Sequence, residues 1–423
     1  MGNGTHPLLV VGTGIGRPTL PRDAAEAVAG AGVLAGGKRL LDAFAGHPGE
    51  KIPLTAPLPD ALDLLAARHA AGARVAVLAD GDPLFFGIGR TLLTRFDPAD
   101  LRFFPNTTAV AAMAARLGRP FEDVPAVSLH GRDDHAPLFR ELMRRGRAAV
   151  YTDAAKTPQA LARAVLDRGG PDFALHVLEN MGLADERYTR LDLAAPLPKT
   201  AFSPLNMVFV ERVRPPEVPL TLGLPPCSLS RDDAVFTKTP VRAAALALLR
   251  IAPADTVWDL GAGTGSVALE AARLCPDGGV FAVERHPGRF EHLRENIRRT
   301  GALTVTPVHA AMPGALHDLP DPDRIFIGGG LSRTPHILPA AAARLAPHGR
   351  IVVAATLLGT LEQTRAFFAD NRWPHQTIHV QAAAETALGA HTRLTPDNPV
   401  FLVVGEPTPA RFTDTNFESN RSA

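Results

Sequence analysis

Residues 256–266 read Thr-Val-Trp-Asp-Leu-Gly-Ala-Gly-Thr-Gly-Ser, an apolar strand that runs into three alternating glycines. A helical run over residues 267–274 follows at once. Glycines at Gly261, Gly263 and Gly265 let the backbone approach a ligand closely, and the start of the next helix favours anionic groups. On the glycines alone, an ordinary tight turn between strand and helix is the competing interpretation.

Two carboxylates flank this loop. Asp259 stands at the end of the strand, where it suits the amino group of a bound methionine, whereas a nicotinamide site needs positive potential there for pyrophosphate. Glu284 ends the next strand-like run, nineteen residues after Gly265, where an acid can hydrogen-bond ribose hydroxyls. Nicotinamide sites share that second acid, so Glu284 indicates a nucleoside and Asp259 favours S-adenosylmethionine (SAM).

Two further segments of this half carry candidate residues. Residues 323–330 form a strand ending in Gly328, Gly329 and Gly330, and we expect this loop to face the substrate because ligands bind outside the carboxyl ends of strands. Lys238 and Arg242 bracket a helix start, and helix capping by the residues between them does not explain the two cations. We expect both cations to be catalytic, against the default of a solvated surface.

Along most of the chain, short β-branched runs alternate with helical runs, which predicts an α/β fold with largely parallel sheets. Residues 187–213 change to two strand-like runs, which predicts an antiparallel ending. Residues 215–226 contain five prolines and predict a linker. The predicted domains are therefore 1–214 and 227–423.

Composition excludes several classes of protein. The 423 residues suggest two or three domains, and 44 basic against 43 acidic side chains give no bulk field for nucleic acid or a membrane. Two cysteines cannot form a disulfide framework, and no spacing of Cys and His predicts a metal site. We find no signal peptide and no apolar span, so we expect a cytoplasmic protein.

The first half contains a different set of motifs. Its opening glycines resemble a dinucleotide fingerprint, but Arg17-Pro18 follows them where a helix is needed. Five segments then occur in order: residues 79–87 (ADGDPLFFG), 105–108 (PNTT), 128–132 (SLHGR), 177–182 (VLENMG) and 202–208 (FSPLNMV). This series resembles the tetrapyrrole methylase family, particularly its precorrin C-5 methyltransferase branch, over about residues 7–213.

That resemblance implies a two-subdomain fold with SAM in the trough between the subdomains. The residues it implies for SAM binding are Gly12, Gly14, Gly16, Asp80, Gly81, Asp82, Pro83, Phe85, Thr107, Thr108, Met181 and Asn206. Each also has a structural interpretation, as turn, helix cap or core. His130 and Arg132 are expected to meet carboxylates of the substrate.

The second half also resembles a known family. The strings T-K-x-x-V-R-A, W-D-L-G-A-G-T-G-S-V-A-L-E-A-A, A-V-E-R and L-P-D-P-D-R-I-F-I-G-G-G are similar to the precorrin-6B decarboxylating C-15 methyltransferases, which have a Rossmann-like fold. This match covers about residues 222–406, with a departure at Met312. Taken whole, the chain resembles the decarboxylating precorrin-6Y C-5,15-methyltransferase family, a fusion of the two kinds of domain.

The combined resemblance implies one SAM site per domain and an anionic tetrapyrrole substrate in cobalamin biosynthesis. Methylation at carbons 5 and 15 would accompany loss of carbon dioxide from an acetate side chain, with Lys238 or His309 handling the proton. A cobalt-containing substrate, an RNA methyltransferase and a non-catalytic tetrapyrrole carrier remain as alternatives. We expect a homo-oligomer with no nucleic-acid or membrane partner and no metal.

Overall fold

The computed structural model describes residues 6–55, 57–129, 131, 134–231 and 236–407. The chain folds into two compact units. The first unit comprises the residues up to Asp134, with Arg147–Ala162 and Ala174–Glu211, and the second unit comprises His135–Gly146, Arg163–Phe173 and everything from Arg212. Each unit contains a sheet of parallel strands with helices between them, so the predicted α/β fold class is confirmed.

One sheet of the first unit is fully parallel, with five strands in the order β3-β2-β4-β1-β5. Every residue of its central strand β4 is buried, as expected for a strand covered on both faces. The strands are β1 Leu8–Gly12, β2 Val33–Gly36, β3 Glu50–Pro53, β4 Val75–Ala79 and β5 Leu101–Phe104. The helices are α1 Arg22–Ala29, α2 Lys38–Ala43, α3 Leu58–Ala70, α4 Gly89–Arg95 and α5 Ala109–Leu117.

A second sheet follows, with strands β6 Ala126–Ser128, β7 Arg147–Tyr151, β8 Phe173–Glu179, β9 Arg187–Asp192 and β10 Asn206–Arg212. Its order is β6-β7-β10-β8-β9, and the intervening helices are α6 Ala136–Arg145 and α7 Pro158–Asp167. The predicted antiparallel ending is present, but β9 and β10 do not pair with each other: β9 pairs with β8, and β10 with β7. Burial explains this order, because β10 is apolar enough for the interior and β9 is mostly exposed.

The second unit contains a seven-stranded sheet in the order β13-β12-β11-β14-β15-β19-β16 and a separate hairpin, β17-β18. Strand β19 is antiparallel to both of its neighbours. The strands are β11 Thr256–Leu260, β12 Gly279–Glu284, β13 Val305–His309, β14 Arg324–Ile327, β15 Arg350–Ala355, β16 His375–Val380, β17 Ala383–Leu388, β18 His391–Pro396 and β19 Val400–Gly405. The helices are α8 Thr239–Leu249, α9 Ser266–Leu274, α10 Pro287–Thr300, α11 Ile337–Ala342 and α12 Leu358–Asp370.

Strand order reverses between β11 and β14 in this sheet. After β11 the chain moves to β12 and β13 on one side, and it returns to the other side of β11 as β14. Such a reversal leaves a crevice at the carboxyl ends of the two strands, and ligands of open α/β sheets bind there. The glycine loop after β11 and the three glycines after β14 both open onto that crevice.

The proline-dense segment 215–226, expected to be a linker, packs as part of the second unit. We call it the strap. Its Leu224 is 1% exposed, and the Leu224 N–H donates to Glu270 Oε1 at 2.8 Å while the Leu224 carbonyl accepts from Arg242 Nη2 at 2.6 Å. Val218 is buried as well, and its N–H donates to the carbonyl of Arg299 at 3.0 Å. Prolines fix an extended backbone without needing donors, so a proline-rich segment can be ordered.

No helix among the described residues is long and apolar enough to cross a membrane. Within the same residues, no group of three or more His, Cys, Asp or Glu side chains is arranged to hold a metal ion.

Candidate cofactor and substrate sites

The glycine loop of the second unit depends on its three glycines for different reasons. Gly261, Gly263 and Gly265 have φ of 76°, 59° and 86°, a region in which a side chain is strained. A Cβ on Gly261 would lie 3.0 Å from the carbonyl oxygen of Gly329, and one on Gly265 would lie 2.3 Å from Leu293 Cδ1. A Cβ on Gly263 would meet nothing within 4 Å, so the space beside that residue is open.

Asp259 offers an unsatisfied acceptor beside this loop. Its side chain is buried, Oδ2 accepts the N–H of Ala268 at 2.9 Å, and Oδ1 has no hydrogen-bond partner. Burial raises the pKa of this carboxyl to about 7, with a smaller contribution from the charge of Glu284. A buried acceptor without a donor costs about 1–3 kcal/mol, and an ammonium group would satisfy it. The residues therefore fit the amino group of SAM.

Glu284 also holds the loop. Its carboxylate is buried, with Oε2 accepting the N–H of Gly263 at 2.9 Å and Oε1 accepting the N–H of His286 at 2.8 Å. Each carboxylate oxygen has two lone pairs, so one on each oxygen is left for a ribose hydroxyl. The predicted ribose contact is compatible with this geometry, and the loop contact to Gly263 is an additional role that the sequence did not indicate.

His309 lies at a different strand end from the three glycines after β14. It ends β13, which is three strand positions from β14 and hence about 14 Å from the loop Gly328–Gly330. Its ring stacks on Phe290 with centroids 4.6 Å apart, and its Nε2 is 3.2 Å from the carbonyl of Arg285. Strand register places it beside Glu284, on the nucleoside side of the crevice. The catalytic role of His309 stays a prediction, and its distance from the loop after β14 weighs against it.

The loop after β14 does face the crevice. Gly328 donates its N–H to the carbonyl of Leu260 at 2.9 Å, which ties the ends of β14 and β11 together. Gly328, Gly329 and Gly330 line a small cavity of about 80 Å³, together with Leu357 and Thr360 from the segment after β15.

Lys238 and Arg242, paired in our prediction, have different environments. Lys238 is 55% exposed, and its Nζ lies 3.4 Å from Asp397, which precedes β19. The start of β19 pairs with the carboxyl end of β15, so this ion pair lies at the same edge of the sheet as the three glycines. Lys238 therefore remains a candidate for catalysis.

Arg242 is wholly buried instead. Its Nε donates to Glu270 at 2.7 Å, its Nη2 to the carbonyl of Leu224 and its Nη1 to the carbonyl of Thr237 at 3.1 Å. No part of the guanidinium reaches the crevice. These hydrogen bonds explain the cation by its support of the strap, and the catalytic role of Arg242 stays a prediction that its burial weighs against.

The first unit contains a cavity of about 440 Å³. Loops from both of its sheets line it, in agreement with a trough between two subdomains. Of the twelve predicted SAM residues, seven line the cavity: Gly16, Asp80, Gly81, Asp82, Phe85, Met181 and Asn206.

The other five residues do not line the cavity. A Cβ on Gly12 would lie 2.5 Å from the carbonyl oxygen of Gly81 and 3.0 Å from Pro83 Cδ, so these residues pack against one another. Gly14 accepts the N–H of Gly81 at 2.9 Å. Thr108 caps α5 by accepting the N–H of Ala111 at 3.0 Å, while Thr107 is exposed beside it. These positions shape the loops around the cavity.

Asn106, which the sequence did not single out, joins three of these loops. Its Nδ2 donates to the carbonyls of Gly12 and Thr19, each at 2.9 Å, and its N–H donates to Asp82 Oδ2 at 3.1 Å. Asp82 in turn accepts the N–H of Leu84 at 2.8 Å. A short polar residue in a Pro-Asn-Thr-Thr turn was the available signal.

Three further lining residues were missed: Arg39, Phe86 and Tyr151. Arg39 forms an ion pair with Asp80 and donates through Nη1 to the carbonyl of Gly16 at 3.1 Å. Burial raises the pKa of Tyr151 to about 12, helped by the negative charge of Asp82. The predicted substrate residues His130 and Arg132 lie outside the described residues.

Both parts of the chain match models of known protein families. The family model described as tetrapyrrole (corrin/porphyrin) methylases matches residues 7–196, and the one described as precorrin methyltransferase domain matches residues 229–405. A precorrin-6Y C(5,15)-methyltransferase (decarboxylating) from Sinorhizobium sp is 35% identical over 357 residues, which cover 82% of this chain and 84% of the relative. The chain belongs to the decarboxylating precorrin-6Y C(5,15)-methyltransferase family.

Another member of the family, from Mycobacterium tuberculosis, is 32% identical over 78% of this chain and 82% of its own length. A crystal structure described as precorrin-6Y C5,15-methyltransferase from Geobacter metallireducens is 34% identical, with a TM-score of 0.42, and covers 45% of this chain and 99% of its own. Membership of this family makes the protein a SAM-dependent methyltransferase.

Proposed function

We propose that the protein binds SAM separately in each unit and methylates carbons 5 and 15 of a precorrin in cobalamin biosynthesis, with loss of carbon dioxide from an acetate side chain. One observation carries this proposal: each unit has its own set of cofactor-type loops at the carboxyl edge of its own parallel sheet. A single-site enzyme would need only one such set.

In the second unit, bound SAM would supply an electrophilic methyl group for in-line transfer to a nucleophilic ring carbon. Asp259 Oδ1 accepts the ammonium of the methionine part, and the glycine loop leaves room for it beside Gly263. Glu284 accepts ribose hydroxyls through its free lone pairs. Gly328–Gly330 carry no side chains, so the macrocycle can approach the crevice closely. Catalysis here is chiefly positioning, which is worth several kcal/mol.

Decarboxylation needs an electron acceptor and a proton. The carbon–carbon bond to the carboxyl group breaks, its electron pair enters the conjugated ring of the substrate, and carbon dioxide leaves. A proton then adds to the former acetate carbon, which becomes a methyl group as the electron pair returns from the ring. We assign Lys238 Nζ as the donor of this proton, with Asp397 holding the ammonium in place at 3.4 Å.

The role of Lys238 can be tested with Lys238→Gln and the charge-preserving Lys238→Arg. Mass spectrometry should show that the methylated, decarboxylated product forms more slowly in the Gln variant, because the electron-rich intermediate left by carbon dioxide is no longer trapped by a proton from Lys238. Decarboxylation at the wild-type rate in both variants would remove Lys238 from the mechanism.

In the first unit, the cavity of about 440 Å³ falls within the range of 300–1,000 Å³ that small-molecule sites occupy. The residues Gly16, Gly81, Met181 and Asn206 bring parts of both sheets to its wall and are the candidates for SAM contacts. No side-chain nucleophile is required, because the acceptor carbon belongs to the substrate.

The central experiment is mass spectrometry of a metal-free precorrin and its cobalt form, each incubated with the full chain and SAM. Two methyl gains with one loss of carbon dioxide support the proposal, and the preferred form identifies the substrate. Calorimetric titration should give two SAM sites in the wild type and one in Asp259→Asn. One site in the wild type would overturn the assignment of a site to each unit.

The predicted homo-oligomer stays a proposal, which light scattering of the purified chain tests directly.

A further inference from the structure

Large apolar side chains are exposed around the cavity of the first unit. Leu84, Phe85, Phe86 and Leu205 are 54%, 38%, 55% and 43% exposed. Three of them, Phe85, Phe86 and Leu205, line the cavity itself. Single exposed apolar residues are ordinary on a protein surface, but a contiguous group at a cavity marks a place where a ligand covers it.

Three aromatic rings form one continuous surface here, which we call the aromatic wall: Phe85, Phe86 and Tyr151. The centroids of Phe85 and Phe86 are 5.1 Å apart, and those of Phe86 and Tyr151 are 5.3 Å apart. The phenylalanines follow β4 in the parallel sheet, and Tyr151 ends β7 in the other sheet. The wall therefore joins the two sides of the trough.

The backbone at Phe86 supports a functional rather than a packing role. Its φ is 55°, in the left-handed region that is costly for a residue with a bulky side chain. Core packing does not explain this cost, because more than half of the side chain is exposed. Glycine follows directly at position 87 and would adopt such an angle without strain. Strain of this kind is typical of ligand sites.

Polar groups at the same cavity match the chemistry of a tetrapyrrole, a broad apolar ring with carboxylates at its rim. Arg39 and Tyr151 line the cavity with hydrogen-bond donors, and because the charge of Arg39 is already paired with Asp80, the Tyr151 hydroxyl is the donor that we assign to a substrate carboxylate. Because burial holds the pKa of that phenol near 12, it stays protonated and can donate to a carboxylate.

We propose that the aromatic wall is the surface on which the macrocycle rests during methylation at carbon 5, and that Phe86 sets the affinity for the substrate but not for SAM. This inference rests on the function proposed above. It assigns Phe86 and Tyr151 to substrate binding, and it moves Phe85, predicted from the sequence to bind SAM, to the substrate surface of the same cavity.

The test uses Phe86→Ala in the full-length protein, with methylation at carbons 5 and 15 followed separately by mass spectrometry. The KM for the precorrin in the carbon-5 reaction should rise about tenfold, with little change in kcat. The dissociation constant of SAM in the first unit and the carbon-15 reaction should stay at their wild-type values. Phe86→Tyr, which keeps an aromatic ring, should restore a KM close to that of the wild type.

A matched control is Phe121→Ala, since Phe121 is 48% exposed in the same unit but does not line the cavity. This variant should leave both reactions unchanged. A wild-type KM in Phe86→Ala, or equal loss in Phe86→Ala and Phe86→Tyr, would overturn the inference. Loss of SAM binding in Phe86→Ala would also overturn it, by moving Phe86 to the cofactor. If the wild type does not methylate carbon 5 at all, it is the proposed function that fails.

Discussion

Asp259→Asn should stabilise the SAM-free protein at alkaline pH while removing SAM binding from the second unit. The carboxyl of Asp259 is wholly buried, and its pKa is raised from 3.8 to about 7. Below pH 3.8 the carboxyl is neutral in both the folded and the unfolded state, so it does not lower the free energy of unfolding. Between pH 3.8 and about 7 it ionises only in the unfolded state, so stability falls as the pH rises. Above about 7 the cost is constant.

The two pKa values give the amount by which ionisation of Asp259 lowers the free energy of unfolding. Each pKa unit corresponds to about 1.4 kcal/mol, so the full cost above pH 7 is about 4 kcal/mol, of which about 3 kcal/mol develops between pH 5 and pH 7. An asparagine keeps the acceptor for the Ala268 N–H but leaves a buried amide donor unpaired, at about 1–3 kcal/mol. That penalty is independent of pH. The gain of the variant over the wild type should therefore be about 3 kcal/mol larger at pH 8 than at pH 5.

Urea unfolding followed by tryptophan fluorescence measures this directly, because both tryptophans of the chain, Trp258 and Trp373, lie in the second unit. Asp370→Asn, at an exposed carboxyl that ends α12, is the matched control and should show no such pH dependence. Equal gains of Asp259→Asn at pH 5 and pH 8 would refute the reasoning. So would undiminished SAM binding to the second unit of the variant, since the ammonium would then not need the carboxylate.

Three other substitutions give distinct expectations. Arg242→Met should lower the free energy of unfolding by about 3–5 kcal/mol in the tryptophan assay, because it leaves Glu270 buried without its cation; a stable variant that has lost carbon-15 methylation would support the catalytic prediction for Arg242. Gly12→Ala should abolish carbon-5 methylation and spare carbon 15, since its Cβ would lie 2.5 Å from the Gly81 carbonyl oxygen; normal carbon-5 kinetics would show that the loop adapts. Thr108→Ala should cost about 1 kcal/mol through loss of the helix cap, measured by thermal unfolding with circular dichroism; a weaker SAM affinity without that loss would make Thr108 a ligand.

The positions of Asp259 and Glu284 near strand ends could be predicted from the sequence. Asp259 and Glu284 each end a strand of a parallel sheet, and the carboxyl ends of such strands meet at one edge. The glycine loop is formed by consecutive residues, and few backbone conformations connect the strand to the helix over so short a segment. Prediction of the fold class and of this crevice therefore needed only short segments and the alternation of strands and helices.

Contacts between residues that are far apart in the chain could not be predicted from the sequence in this way. Arg242 and Glu270 are 28 positions apart, and each looks like a surface charge on an amphipathic helix until packing buries both. Tyr151 meets Phe86 only because two sheets adjoin. The position of β10 between β7 and β8 likewise depends on which strands of the whole sheet are apolar enough to be buried.

The strap also determines where the chain can be divided. Leu224 supplies both a backbone donor and a backbone acceptor to the buried pair of Glu270 and Arg242. A fragment that begins at residue 227 would lose both bonds and leave the guanidinium short of an acceptor in the interior. A fragment that begins before Pro215 would keep the strap and both of these hydrogen bonds. A cut that spares these bonds thus lies ahead of the prolines, because the strap packs within the second unit.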